Sequence, residues 1–236
     1  MSVLYIVSTP LGNLEDISYR ALQVLRTVDV ILCENTQVSK KLLFHFGISK
    51  PLFVYHQHSK LRRVDFIFNL LREGKNLALI CDAGTPGISD PGNQLIKAIV
   101  SQYPENLERK INIVPIPGPS ALTAIASVCG FAMDRFLFLG FPPAKKKRKQ
   151  FFEEIMNARY PVIFYESPYR ILKTLRELSQ TDKSSLLQVV VGRELTKKFE
   201  TIYRGRLEQV IQQISNDSVK GEFVVVVSSS KMAYKR

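Results

Sequence analysis

Asp82-Ala83-Gly84-Thr85-Pro86-Gly87-Ile88-Ser89-Asp90-Pro91-Gly92 is the stretch around which the chain is organised. It follows an apolar run, Leu77 to Cys81, that predicts a buried strand, and it precedes Leu95, Ile96, Ile99 and Val100 at helical spacing. The stretch is therefore a strand-to-helix loop. In an open α/β sheet, ligands occupy the crevice beyond the carboxyl ends of the strands, where such a loop lies. Gly84, Gly87 and Gly92 let backbone approach a ligand without a Cβ in the way, and Pro86 and Pro91 preset the loop's shape. An elaborate turn and a main-chain ligand floor both fit that composition. No Gly-Lys-Ser/Thr follows, which excludes a P-loop, and the glycine spacing departs from the dinucleotide fingerprint Gly-x-Gly-x-x-Gly.

The same strand, loop, helix unit recurs on both sides. Val3 to Ser8 ends in Thr9-Pro10-Leu11-Gly12-Asn13, and Leu14, Ile17, Ala21, Leu22 and Leu25 then recur at helical spacing with Asn13 or Asp16 placed to cap. Val28 to Cys33 leads into Glu34-Asn35-Thr36-Gln37, and Leu52 to Tyr55 into His56-Gln57-His58-Ser59-Lys60. Ile111 to Ile116 closes on Pro117-Gly118-Pro119-Ser120. This alternation predicts an α/β sheet with substantial parallel pairing. Past Gly118 the pattern changes. A helix over Ala121 to Val128 precedes an aromatic strand, Phe136 to Phe141, which Pro142-Pro143 breaks ahead of Lys145-Lys146-Lys147-Arg148-Lys149. Val162 to Tyr165 leads into Glu166-Ser167-Pro168, where Pro168 is suited to open a helix. Leu187 to Val191 leads into Gly192 to Lys197, Glu200 to Tyr203 pairs nearby, and Phe223 to Val227 is a last apolar strand. We place two domains, 1–117 and 118–236.

Bulk properties narrow the classes. With 45% hydrophobic and 23% charged residues, the chain has the composition of a globular protein rather than a disordered one. A formal charge of +12 favours polyanionic partners, and the lysine run favours phosphate contact, with a merely solvated face as its plain alternative. Cys33, Cys81 and Cys129 are odd in number and set in apolar surroundings, which predicts reduced core thiols in the cytoplasm. His56 and His58 lack partner ligands at metal spacing, so no metal site is expected. No apolar run approaches the ~20 residues needed to cross a bilayer, and no signal-peptide pattern opens the chain.

Thr-Pro-Leu-Gly-Asn-Leu at 9–14, the 82–92 stretch, Pro-Gly-Pro-Ser-Ala at 117–121, Tyr-Glu-Ser-Pro-Tyr-Arg at 165–170 and Arg-Glu-Leu-Thr-Lys at 193–197 occur in this order. Together they resemble the ribosomal RNA small-subunit methyltransferase I family, cytidine 2′-O-methyltransferases of the class III, tetrapyrrole-methylase type. The resemblance runs from about Leu4 to Ser229. It implies two α/β domains with mixed, largely parallel sheets and S-adenosylmethionine (AdoMet) in the cleft between them. It also implies a homodimer, and a cytidine of 16S ribosomal RNA, naked or in the 30S particle, as substrate. The cofactor contacts it implies are Pro10, Asp82, Ala83, Gly84, Thr85, Ile88, Ser120, Ala121, Tyr165, Glu166, Gly221, Glu222 and Phe223. Alternatives are an AdoMet-dependent methylase of a tetrapyrrole-like small molecule and a non-catalytic RNA-binding homologue.

Methylating a ribose hydroxyl requires alignment of two reactants and removal of a poorly acidic proton. Glu34, Asp82, Glu166 and Glu194 all follow strands, and helix capping or loop bracing is the plain alternative for each. We take Glu34, Glu166, Glu194 and Lys197 as catalytic candidates. Lys145, Lys146, Lys147, Arg148 and Arg193 are the candidates for contacting RNA. The chain departs from the family pattern in two N-terminal loops. Glu34-Asn35-Thr36-Gln37 stands for Glu-Asp-Thr-Arg, and His56-Gln57-His58-Ser59-Lys60 for His-x-x-Asn-Glu. Tyr169 stands where His is common.

Overall fold

A computed structural model describes residues 2–56, 61–90, 92–101, 111–182 and 187–228, so Gln57, His58, Ser59, Lys60 and Pro91 lie outside it. The chain divides into two compact units between Ser120 and Ala121, just past the Pro117–Ser120 loop.

The first unit holds β1 (Ser2–Val7), β2 (Val30–Cys33), β3 (Leu52–Val54), β4 (Leu77–Leu79) and β5 (Ile111–Ile116) in the order β3-β2-β4-β1-β5. Every pairing in it is parallel. The helices are α1 (Tyr19–Thr27), α2 (Thr36–His45), α3 (Leu61–Arg72) and α4 (Gly92–Ser101). The connections from β1 to β2 and β2 to β3 run toward one sheet edge, and those from β3 to β4 and β4 to β5 toward the other. Right-handed crossovers then put α1 and α2 on one face and α3 and α4 on the opposite one. The packing agrees. Ala21, Leu25 and Leu43 lie against Ile31, Cys33, Ala78 and Ile80, whereas Ile67, Leu71, Leu95 and Ile99 lie against Leu4, Leu32, Leu77 and Leu79. Alternate strand residues thus serve opposite faces, which is why these strands read as continuous apolar runs. At β2 and β4, neighbouring strands whose chains leave in opposite directions, the order reverses, and a crevice opens beyond their carboxyl ends.

One expected helix is divided. Asn13 caps only a short 3₁₀ turn, Leu14–Asp16, accepting from the Glu15 N–H at 3.1 Å. Ile17 is extended, and Ser18 caps α1 by accepting from the Ala21 N–H at 3.1 Å.

The second unit contains α5 (Ala121–Val128), β6 (Leu137–Phe138), α6 (Arg148–Asn157), β7 (Val162–Glu166), α7 (Ile171–Thr181), β8 (Gln188–Arg193), β9 (Thr201–Arg206), α8 (Leu207–Ser215) and β10 (Phe223–Ser228). Its sheet has the order β6-β7-β10-β8-β9, with only β6 and β7 parallel, so parallel pairing dominates the first unit alone. The expected Phe136 to Phe141 strand contracts to Leu137–Phe138, and Pro168 lies in the turn before α7. Helices α6, α7 and α8 cover the face carrying Phe164, Val191 and Val225, and α5 covers the face carrying Ile163, Val190 and Val226. Central β10 is therefore buried on both sides, which explains its uninterrupted Phe223–Val227 run. This topology brings the carboxyl ends of β6, β7 and β8 and the amino ends of β10 and β9 to one end of the sheet.

Candidate active site

In the first unit, the loops after β1, β4 and β5 are stitched together. The Thr9 N–H donates to the Gly84 carbonyl at 2.8 Å, and the Gly84 N–H returns to the Thr9 carbonyl at 3.0 Å. Thr85 Oγ1 donates to the Pro119 carbonyl at 3.0 Å. Its one proton is thereby used, so Ser8 Oγ donates to Thr85 Oγ1 across 2.9 Å. Gly84 sits at φ +85°, and a Cβ there would meet Leu11 Cδ2 at 3.3 Å. Pro10, Asp82, Ala83, Gly84, Thr85 and Ser120 are therefore carried on adjoining loops, and Ile88, on the Asp82 loop, is exposed.

Beside them lies a cleft of about 350 Å³, walled by Thr9, Pro10 and Leu11 on one side, by Val38 and Leu42 of α2, and by Cys81 and Asp82. Its size suits a small ligand or nucleotide. Asn35 opens α2 as its cap, accepting from the Gln37 N–H at 2.9 Å, a service Asp would render equally.

Three carboxylates gather at this edge. Burial, then Asp90 and Asp82, push Glu34 from its ordinary 4.5 up to about 7. Burial also raises Asp82, against the opposing Asn35 N–H, and raises Asp90, with Asp82 adding to the effect. Burial lifts the neighbouring thiols of Cys33 and Cys81 as well, and all three cysteines are buried and free. Glu34 Oε1 is buried with no hydrogen-bond partner among the described residues. Within the same bounds, none of the three carboxylates has a cationic partner, and no cluster of His, Cys, Asp and Glu is suited to a metal ion.

The other acids are differently placed, in the second unit. Glu166, 1% exposed, accepts from Thr174 Oγ1 at 2.6 Å, Arg170 Nη2 at 2.8 Å and the Ser167 N–H at 2.8 Å. Glu194 Oε1 accepts from Lys197 Nζ at 3.0 Å and the Glu222 N–H at 2.9 Å. Burial works to raise Glu194, but the Glu222 N–H and Lys197 outweigh it and hold the carboxyl below the usual range. Lys197, which burial works to lower, is instead raised by Glu222 and Glu194. The pair braces a turn in which Glu194 and Thr196 take φ of +50° and +67°. Gly221 makes room for it, since a Cβ there would lie 2.5 Å from Glu194 Cγ. Strand register sets Glu166 and Arg193 opposite Phe223 and Tyr165 opposite Val224.

A family profile described as Tetrapyrrole (Corrin/Porphyrin) Methylases matches residues 3–211. The ribosomal RNA small subunit methyltransferase I of Synechocystis sp. is 41% identical, over 98% of this chain and 80% of its own. That of Thermotoga maritima is 38% identical, over 98% and 100%. The chain belongs to the ribosomal RNA small subunit methyltransferase I family, within the tetrapyrrole methylases. Membership makes the protein a methyltransferase with S-adenosylmethionine as methyl donor. Solved methylases share the fold. A cobalt precorrin-4 methyltransferase has TM-score 0.67 at 18% identity, over 98% of this chain and 96% of its own. Uroporphyrin-III-C-methyltransferase from Thermus thermophilus has TM-score 0.61 at 16% identity, over 98% and 95%.

The first unit's residues fit a donor of that kind. A sulfonium carries positive charge, and Glu34, Asp82 and Asp90 form an acidic edge whose carboxylates have no ion-pair partner among the described residues, although Lys41 also lines the cleft. Among the residues expected to meet RNA, Lys145, Lys146 and Lys147 are exposed. Arg148 and Arg193 are not available for that task. Arg148 bonds Glu177, Thr174 Oγ1 at 2.6 Å and the Pro143 carbonyl at 3.0 Å. Arg193, 7% exposed, bonds the Lys220 carbonyl at 2.9 Å and Asp217 at 3.4 Å. Sequence reasoning overlooked Ser8, Thr9 and Thr85 as the stitching residues and Asp90 as a charge acting on Glu34. Hydroxyl side chains placed directly after β1 and inside the glycine loop were the available signal.

Proposed function

We propose that the protein methylates the 2′-hydroxyl of a cytidine ribose in small-subunit ribosomal RNA, with Glu34 as the general base. The observation that carries this reading is the buried Glu34 Oε1, without a hydrogen-bond partner among the described residues, at the strand-order reversal, on a carboxyl poised at about 7. A base with that affinity for protons is matched to neutral pH, whereas Glu166 has both oxygens bonded and Glu194 is tied through Oε1 to Lys197 and the Glu222 N–H, which hold its carboxyl low. AdoMet, when bound, supplies an activated methyl group on a sulfonium. The loops at Thr9–Pro10, Asp82–Thr85 and Pro119–Ser120 would hold it through main-chain groups, their positions fixed beforehand by the Ser8, Thr9 and Thr85 bonds. Such fixed placement supports most of the acceleration, and the base contributes on the order of 10²- to 10⁴-fold.

Phosphates of the RNA meet Lys145, Lys146 and Lys147, in keeping with the charge of +12. Family resemblance supports a homodimer acting in the cytoplasm on ribosomal RNA or the 30S particle, and the relatives' names specify the small subunit. The test is to incubate the protein with methyl-labelled AdoMet and small subunits from a strain lacking the gene, then digest to nucleosides. Label on a cytidine ribose oxygen is expected. Label on a base, or only on a tetrapyrrole offered as competitor, would refute the assignment.

A further inference from the structure

Resting on that functional reading, we infer that the second unit presents a preorganised platform for an unpaired nucleotide of the RNA substrate, with Tyr169 as the stacking face and Lys145, Lys146 and Lys147 as phosphate contacts. Tyr169 is 95% exposed and Phe141 is 51% exposed, each on a loop at the carboxyl end of its strand, β7 and β6. Aromatic side chains ordinarily bury 150–250 Å² each, so a ring left this open has most of a face to offer.

The loops are joined and held. Arg170, next to Tyr169, donates to the Pro142 carbonyl at 3.3 Å, next to Phe141, and is anchored behind by Glu166 at 2.8 Å. Arg148 donates to the Pro143 carbonyl at 3.0 Å and is anchored by Thr174 and Glu177. Phe141 also packs its ring on Tyr165, with centroids 5.5 Å apart. Two arginines thus clamp the diproline from which the lysines project, and Lys147 takes the left-handed conformation at φ +64° just ahead of α6. An exposed ring on an immobilised loop loses little entropy when it is covered. Aromatic faces interleaved with cations are the chemistry of single-strand recognition, since every base has a stacking face while a duplex keeps its bases paired inside. An apolar protein partner would not call for the adjoining lysines.

The test uses the full-length protein and a fluorescent single-stranded oligoribonucleotide, with the same sequence annealed to its complement as comparison. Tyr169→Ala should weaken single-strand binding about tenfold with the salt dependence unchanged, and Tyr169→Phe should restore it. Replacing Lys145, Lys146 and Lys147 together by Ala should instead lower the logarithmic salt slope by about 2. Neither variant should alter AdoMet affinity, which verifies folding. Equal loss on single strand and duplex, or no effect of Tyr169→Ala on a wild-type protein that binds RNA, overturns the platform. Failure of the wild type to bind either RNA overturns both the platform and the functional reading beneath it.

Discussion

Replacing Glu34 with Gln should damage the enzyme and strengthen the fold at the same time. Glutamine keeps the shape of the side chain and removes its charge. In the folded protein the carboxyl is raised from 4.5 to about 7, so the fold prefers the protonated form. Between those values the folded state holds a proton that the unfolded chain has released, and stability falls as pH rises through that window. At about 1.4 kcal/mol per pH unit the full loss is about 3 kcal/mol, and solvent screening of a partly exposed side chain reduces it to about 1–2 kcal/mol. Urea denaturation at pH 8 should therefore find the variant more stable by about that amount, with the difference closing toward pH 4.5. Asp82, Asp90, Cys33, Cys81 and Lys41 share this edge, and removing the Glu34 charge removes one contribution that raises the Cys33 and Cys81 thiols. Single-turnover labelling of small subunits at the same pH should fall by about 10²-fold or more. The wild-type rate should decline as pH drops below about 7, while the variant's residual rate stays flat. A variant that retains full activity, or that loses stability together with activity at pH 8, would show that Glu34 has a partner in the fold and is no base.

Three further outcomes follow from the geometry. Gly221→Ala forces a Cβ to within 2.5 Å of Glu194 Cγ at φ +106° and should cost about 3 kcal/mol. Adding Glu194→Ala should recover part of that loss, and strict additivity in urea melts would contradict the contact. Thr174→Val removes the donor to Glu166 Oε2 and an acceptor for Arg148, a loss of about 2–3 kcal/mol by calorimetry; a near-neutral result would mean that neither bond matters. Asn35→Asp keeps the α2 cap, so stability should move by less than about 0.5 kcal/mol. The added charge beside Glu34 should shift the pH–rate midpoint upward, and a downward shift would contradict the acidic edge.

The sequence made some of this visible and hid the rest for definite reasons. Gly84 and Gly87 advertise a left-handed loop because few other residues adopt that conformation, so the Asp82 loop was legible. The first sheet was legible because its strands alternate with helices. Glu34, Glu166 and Glu194 were equivalent as letters, since each is an acid following a strand. What separates them is Thr174, Arg170, Lys197 and Glu222 closing on two of the three, contacts that no local pattern encodes. Arg148 and Arg193 read as surface cations for the same reason, because Glu177 and Asp217 lie 29 and 24 residues along the chain. Mixed sheets were expected, but which strands of the second run antiparallel was not legible, because apolar strands buried on both faces look alike in either direction.

The knot at Thr85 ties a segment near the amino end of the chain to one that comes only after residue 116. During synthesis the glycine loop therefore emerges well before the carbonyl of Pro119 that completes it. A ribosome-bound chain halted between them holds the letters of the loop cluster without its shape. The loop cluster of the first unit therefore closes in one event, and protection of the glycine loop from protease is a reporter of when it happens.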